Sequence, residues 1–340
     1  MPGSPIDFRS RRCLVTGGSG FIGSHLTDHL LSLGAEVVVV DNLSTGRASN
    51  LAPARGQHAD RLTVISEELG PALDSHLKNE RFDAIFHLAA AVGVKRIIER
   101  PIESIESNVL DTSAVLRYAS DHGPRGGGGA PTFLASSSEV YGKSARSPFA
   151  EGDDCVYGPT TAWRWSYAAS KAIDEYLALA WHAQRSLPVT IARFFNTVGP
   201  RQIGDYGMVL PAFVRSARLG QPIQVYGDGS QSRCFCDVRD VVPALPKLLG
   251  CSDARGQVVN LGSDRPISIL GLAQQVIQTL RSPSTIQPIP YDRAYGPGFE
   301  DLQRRQPDLT RARTLIGFEP ATPLEHTIRA VADFQTATET

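Results

Sequence analysis

The stretch from Cys13 to Asp41 constrains this chain more than any other. Cys13-Leu14-Val15-Thr16 reads as a short apolar strand, and Gly17-Gly18-Ser19-Gly20-Phe21-Ile22-Gly23 follows it. Ile22, Leu26, Leu30 and Leu31 then recur at helical spacing until Gly34 closes the helix. Glu36 to Asp41 is a second strand, four valines ending on a carboxylate. Strand, glycine turn, helix and strand make one βαβ unit, which requires a parallel sheet. Gly18-x-Gly20-x-x-Gly23 fits a dinucleotide fingerprint, and Gly17 adds a second spacing, Gly17-x-x-Gly20-x-x-Gly23. Glycines permit the tight turn and a close backbone approach to a pyrophosphate, at which the first N–H groups of the helix, from Phe21 and Ile22 on, then point. Such a motif alone is often only a flexible turn; its place between strand and helix favours the cofactor reading. Asp41, followed by Asn42, stands where a carboxylate accepts from the ribose hydroxyls of adenosine, which favours NAD over NADP. Arg47 nearby keeps some ambiguity on that point.

The pattern continues beyond this unit. Val64-Ile65, Asp83 to Leu88, Thr132 to Ala135 and Val189 to Phe195 read as further strands. Helices are expected from about Pro101 to Ser120 and from Tyr167 to Arg185, with a glycine-rich surface loop from Gly123 to Pro131. Alternation of this kind specifies an α/β fold with a Rossmann-like, doubly wound parallel sheet. After Asn196 proline and glycine become frequent and the elements shorten, which predicts a smaller mixed α/β lobe on the carboxyl edge of the sheet. The expected division is 10–196 for the cofactor domain, with a returning segment near 234–262, and 197–233 with 263–335 for the substrate lobe. Ligands bind at that edge in open α/β sheets.

Composition excludes several classes of function. The 340 residues carry 34 basic and 35 acidic side chains, a net charge of -1, which offers no broad face for nucleic acid. The five cysteines are scattered without a CxxC pair, which argues against a disulfide framework or a zinc knuckle. No apolar run approaches the ~18 residues of a membrane span, and Met1 to Arg12 lack an apolar signal core. A cytoplasmic protein without a membrane partner is expected.

Tyr167-Ala168-Ala169-Ser170-Lys171 places Tyr167 and Lys171 at i and i+4, on one helix face. Free tyrosine is a poor base at neutral pH, and a nearby ammonium stabilises its phenolate. The pair is therefore a proton acceptor for an alcohol that loses hydride. The spacing recurs by chance in many chains; here it follows a nucleotide-binding half and the serine-rich strand end Ser136-Ser137-Ser138.

These motifs, together with HLAA (His87 to Ala90), SSSEVYG (Ser136 to Gly142) and RFFNTVGPRQ (Arg193 to Gln202), resemble the extended short-chain dehydrogenase/reductase superfamily. More narrowly they resemble its nucleotide-sugar epimerases, dehydratases and decarboxylases, over about Arg12 to Phe334. The resemblance implies tightly held NAD beside Leu88, Ala89 and Ala90, and a triad of Ser137, Tyr167 and Lys171. The implied first step is oxidation at sugar C4. Tyr167 takes the hydroxyl proton while Ser137 hydrogen-bonds the reacting oxygen.

The residues after Ser137 discriminate among members. Dehydratases that eliminate the C6 hydroxyl usually carry Asp-Glu there, whereas this chain has Ser138-Glu139, and serine is a poor acid for expelling hydroxide. Simple 4-epimerases usually lack the glutamate. Ser-Glu resembles the UDP-glucuronate decarboxylases, although GDP-mannose dehydratases share it. Arg304-Arg305-Gln306-Pro307-Asp308-Leu309 resembles a decarboxylase segment too, and implies that Arg305 meets the substrate carboxylate or phosphates, with the planar fork of a guanidinium suited to either. By the same resemblance Asn196 and Arg233 contact the diphosphate and Tyr226 lies near the base. The expected activity is C4 oxidation of UDP-glucuronate, loss of CO2 from C5 and re-reduction to UDP-xylose, or release of the 4-keto pentose. Alternatives are a 4-epimerase of UDP-glucuronate or UDP-glucose, a 4,6-dehydratase, and a catalytically silent nucleotide-sugar or NAD-binding regulator. Departures from the pattern are Glu67-Glu68 where Gly-Asp is usual, Asp111 where a glycine is usual, and the Gly126 to Gly129 insert. The helix from Tyr167 is apolar on most faces, so one side is expected to cover the sheet and the other a second subunit, giving a homodimer.

Overall fold

A computed structural model describes residues 6–91, 99–124, 127–204, 208–290 and 302–339. Its centre is a sheet begun by Arg12–Thr16 (β1), Glu36–Val40 (β2), Leu62–Ile65 (β3), Ala84–His87 (β4), Thr132–Ser137 (β5) and Val189–Phe194 (β6). Thr197–Val198 (β7), Ile223–Tyr226 (β8), Ser232–Cys234 (β9) and Cys236–Asp237 (β10) lie outside it, and Gln257–Leu261 (β11) returns to it. The order is β11-β6-β5-β4-β1-β2-β3, with every pair parallel. The strand sequence reverses direction between β1 and β4, and that switch point opens a crevice at the carboxyl ends.

The valines of β2 show how both faces are buried. Val37 and Val39 join one apolar cluster with Leu26, Leu30 and Val259. Val38 and Val40 join another with Leu14, Leu116 and Ala178. The alternation follows from the two-residue period of a strand, and burial on both sides explains the unbroken apolar run. Phe21–Ser32 (α1) packs on the first face, and Pro101–Asp121 (α2) and Ser166–Arg185 (α3) pack against each other on the second.

Some boundaries differ from the sequence pattern. β5 continues through Ser137 because β6 pairs with it as far as Ser137↔Phe194, so sheet pairing extends the strand past its apolar part. β3 begins at Leu62, where it meets Val37. Gly127 and Gly128 adopt φ of +101° and +84°, backbone that suits glycine in this loop; Gly126 lies outside the described residues.

A third apolar cluster sits apart from the sheet. Val209–Arg218 (α4), Ile269–Leu280 (α5) and Leu324–Glu339 (α6) pack on one another through Leu210, Phe213, Leu272, Val276, Ile328 and Val331. Around them Pro266–Ser268 (β12) and Arg304–Arg305 (β14) flank β9, antiparallel and parallel respectively, and Ile286–Ile289 (β13) runs parallel to β8. Among the described residues, the face of α3 away from the sheet is left exposed: Ile173 and Tyr176 are 45% and 72% exposed, beside Ile102 at 72% and Leu110 at 62% on α2.

Candidate active site

One cavity of ≈ 1030 Å³ occupies the carboxyl edge between the sheet and this third cluster. Its size is at the top of the range for single small-molecule sites, so it has room for two ligands side by side. Gly17, Gly20, Phe21, Ile22, Gly23, Asp41, Asn42, Leu88, Ala89 and Ala90 line one part of it. Ser137, Ser138, Glu139, Tyr167 and Lys171 line the middle, and Asn196, Tyr226, Arg233 and Arg305 the rest. The structure thus lines one cavity with the candidate catalytic, cofactor and substrate residues, while Gly18 and Arg47 lie off it.

The glycine turn is a cradle that side chains would fill. Gly17 has φ +70°, and a Cβ there would stand 2.8 Å from Ala89 N. A Cβ on Gly23 would stand 2.1 Å from Gly17 O, so turn and helix touch only because both lack side chains. Gly18 has another duty: its Cβ would meet Val39 at 2.7 Å, so it packs against β2 rather than facing the cavity. α1 starts at Phe21 with Gly20 as N-cap and no side chain capping it, so its first N–H groups stay available to an anion. These features fit a dinucleotide pyrophosphate.

Asp41 is buried at the end of β2 and accepts from Ser19 N at 2.8 Å and Leu43 N at 2.8 Å. Burial raises its pKa, and those N–H groups, with Gly20, oppose the rise. It therefore shapes the turn as well as facing the cavity. Asn42 donates to Glu68 at 3.1 Å, and Glu67, Glu68 and Asp111 add an acidic wall to this end. Burial pushes the Asp111 carboxyl up to about 6, with Ser107 opposing through a hydrogen bond and the charge of Glu68 adding to the rise. Beneath, His87 bridges Thr16 at 2.7 Å and Thr112 at 3.2 Å, and burial followed by the Lys171 charge lowers its pKa to about 3. It is a neutral spacer.

At the end of β5 adjacent serines part ways. Ser136 donates to Glu175 at 2.5 Å, and Glu175 also takes a two-pronged pair from Arg193 at 2.9 and 2.7 Å. Ser137 faces the other way, accepts from Glu139 N at 3.2 Å and lies on the side of Tyr167. Burial raises the Tyr167 phenol above its ordinary range and the negative Glu139 adds to it, while Ser137 lowers it in part. The sequence led us to expect Lys171 to pull this phenol down. Instead Lys171 Nζ donates to Asp174 at 3.0 Å, with both groups buried, so its charge is neutralised one helical turn away from that task.

Glu139 sits between two guanidinium groups. Arg305 Nη2 reaches one oxygen at 2.6 Å and Arg164 Nη1 the other at 3.0 Å. Burial alone would raise this carboxyl, but Arg305 and then Arg164 outweigh it and hold it at about 2. Sequence reasoning expected Arg305 to face a ligand; here it faces Glu139, through β14, whose Arg305 is in register with Arg233 on β9. Arg164 was missed altogether. Its only signal is that it stands three residues before Tyr167, on the short 3-10 turn Trp163–Trp165 that leads into α3. Arg305 Nε, Ser138 Oγ and Asn196 Nδ2 are buried without a hydrogen-bond partner among the described residues. Such orphans on a cavity wall call for a polar ligand.

Comparison with known proteins agrees with this arrangement. The profile of the family described as "NAD dependent epimerase/dehydratase family" matches residues 13–262. The UDP-N-acetyl-alpha-D-glucosaminuronate decarboxylase of Bacillus cytotoxicus is 40% identical over 311 residues, 91% of this chain and 93% of that protein. UDP-glucuronic acid decarboxylase 1 of Danio rerio is 35% identical over 328 residues, 94% of this chain and 72% of that one. Among solved structures, an epimerase of Methanothermobacter thermautotrophicus superposes with a TM-score of 0.87 at 27% identity, covering 98% of this chain and 94% of its own.

Proposed function

Because the chain belongs to the NAD dependent epimerase/dehydratase family, we propose that it is an NAD-dependent decarboxylase of a UDP-linked uronic acid, converting UDP-glucuronate to UDP-xylose. The observation that carries this reading is Glu139 paired with Arg305 beside Tyr167, with Ser138 where an eliminating enzyme would need an acid. A second reading, the 2-acetamido analogue as substrate, is favoured by the 40% identity to the Bacillus cytotoxicus enzyme.

When bound, NAD would supply a hydride acceptor and donor for C4. Gly17, Gly20, Phe21, Ile22 and Gly23 would hold its pyrophosphate, Asp41 and Asn42 its adenosine ribose, and Leu88, Ala89 and Ala90 would flank it. Ser137 holds the C4 oxygen and Tyr167 takes its proton; Lys171 can serve as its charged partner only once bound ligands loosen its pair with Asp174. The new C4 carbonyl is β to the C5 carboxylate, so the bond from C5 to that carboxylate breaks and its electron pair passes into the carbonyl as CO2 leaves. C5 then needs a proton. When the substrate carboxylate takes Arg305, Arg164 still holds Glu139 as a carboxylate, so the proton comes from a water that Glu139 and Ser138 hold. That water protonates C5, and solvent protonates the hydroxide left behind, once per turnover. Tyr167 returns its proton to the C4 oxygen. Asn196 and Arg233 grip the diphosphate, and Tyr226 lies toward the base.

By the same reading 10–196 with 234–262 serves the cofactor and 197–233 with 263–335 the nucleotide sugar. The chain pairs with a second copy through α2 and α3, whose exposed Ile102, Leu110, Ile173 and Tyr176 suit a helix bundle between subunits. Among the described residues no helix is long and apolar enough to cross a membrane, and all five cysteines are free thiols, which fits a cytoplasmic setting.

Proton NMR of the reaction with UDP-glucuronate, and separately with its 2-acetamido analogue, tests the function. Loss of the carboxylate with new pentose signals is expected. UDP-galacturonate as product would overturn the reading in favour of a 4-epimerase.

A further inference from the structure

Two groups on α3 compete for the Lys171 ammonium. Tyr167 stands one turn before it in the helix and Asp174 one turn after, so a lysine between them reaches toward one or the other. The structure records the second choice: Nζ donates to Asp174 Oδ2 at 3.0 Å, with side-chain exposures of 2% and 0%. Glu175, the next acid along, is not available, because Arg193 takes both its oxygens at 2.9 and 2.7 Å and Ser136 donates to it as well. The other oxygen of Asp174, Oδ1, is buried without a hydrogen-bond partner among the described residues. Asp174 is thus a poor structural anchor. A buried ion pair gives a fold little net support, and an unsatisfied oxygen lowers that support further.

We propose that Asp174 is a positioning residue: it retains the Lys171 ammonium on the side away from Tyr167, so that Tyr167 stays a phenol until Lys171 is released into the occupied site. The inference rests on the reading of Tyr167 as the base for the C4 hydroxyl. The charges around the pair run the same way. Burial raises the Tyr167 phenol most, Glu139 and Asp174 add to the rise, and Ser137 and Arg305 oppose it. Asp174 therefore acts twice, through its own charge and by holding the cation. Arg305, on the Tyr167 side, is engaged by Glu139 at 2.6 Å. His87 beneath is neutral, since burial and then the Lys171 charge bring it to about 3. Asp111 on α2 faces the pair with a carboxyl that burial pushes up to about 6, and Glu175 is matched by Arg193. Lys171 is then the cation whose movement along α3 changes what Tyr167 can do.

The test is the protonation of Tyr167 in NAD-loaded protein labelled with carbon-13 at tyrosine Cζ, its signal being the one that Tyr167→Phe lacks. Asp174→Asn, of the same shape and without the charge, is expected to bring the phenol midpoint about one pH unit or more below that of the unaltered protein. The acid limb of kcat/KM for UDP-glucuronate is expected to move down with it. Asp174→Glu, which restores the charge, is expected to move both back. Loss of a merely structural group lowers turnover at every pH and leaves both midpoints in place. Asp174→Ser, neutral and smaller, carries the same expectation where the asparagine protein does not fold. A midpoint unmoved or raised in a folded neutral variant overturns the inference and leaves the decarboxylase reading intact. Failure of the unaltered protein to turn over UDP-glucuronate overturns that reading, while the phenol midpoint still decides the role of Asp174.

Discussion

Buried beside an ionised glutamate, the Tyr167 phenol holds its proton above the ordinary range, so the proposed role as base requires substrate and cofactor to change its surroundings. Replacing it with phenylalanine removes the hydroxyl and little else. Tyr167→Phe should lower turnover by roughly 10²–10⁴-fold, the usual reach of one acid–base group, while absorbance shows the same NAD content. Glu139 makes a different prediction. Its folded pKa of about 2 lies below its ordinary 4.5, so it stabilises the fold fully above pH 4.5 and loses that contribution as pH falls toward 2. Glu139→Gln keeps the shape and one acceptor but not the charge, and should cost about 1–3 kcal/mol at neutral pH. In urea unfolding the gap to the unaltered protein should stay constant from pH 8 to 5 and narrow below that. Ser137, Tyr167 and Lys171 were legible from the sequence because local spacing places them: one sits at a strand end and two share one helix face. The bonds of Glu139 were not, because its partners Arg164 and Arg305 lie in other elements, and a lone arginine leaves no periodic trace.

Among the elements, β5 does the finest positioning. Strand alternation sends Ser136 to Glu175 and Ser137 to Tyr167, so two identical side chains have separable effects. Ser136→Ala leaves a buried carboxylate short of a donor and should destabilise by about 1–3 kcal/mol with turnover little changed in the folded fraction. Ser137→Ala should reverse the pattern, with turnover falling and the urea midpoint steady. Denaturant titration and steady-state kinetics on both variants decide this, and equal effects in the two would refute the division. The long strands were legible because valine-rich runs between glycine turns and helices admit few other readings. β7, β9, β10 and β14 were not, since strands of two or three residues are too short to carry a period. They exist because neighbouring chain holds them, as β9 holds β14 in register through Arg233 and Arg305.

For the whole molecule, the open question set by its surface is the face of α2 and α3. Ile102, Leu110, Ile173 and Tyr176 are too exposed to serve the core of a single chain. Leu110→Lys with Tyr176→Lys should shift a homodimer toward monomer in light scattering at micromolar concentration, and a mass equal to one chain in the unaltered protein would sink the dimer. The acidic wall that Glu68 and Asp111 lend to the cavity sits at the end with Asp41 and Asn42, and Arg233 and Arg305 sit elsewhere on its lining, so a net charge near zero conceals regions of opposite sign. The order in which the site is assembled follows from the layout of the chain. Glu139 and Arg164 belong to the first half, whereas Arg305 arrives on one of the last strands, 166 residues after Glu139. As the chain emerges from its N-terminal end, the cradle for the cofactor can form well before the second arginine exists. Closure of that charge cluster is then a late, long-range event that waits for nearly the whole chain, so a shortened product could retain the glycine cradle yet leave Glu139 without its second arginine.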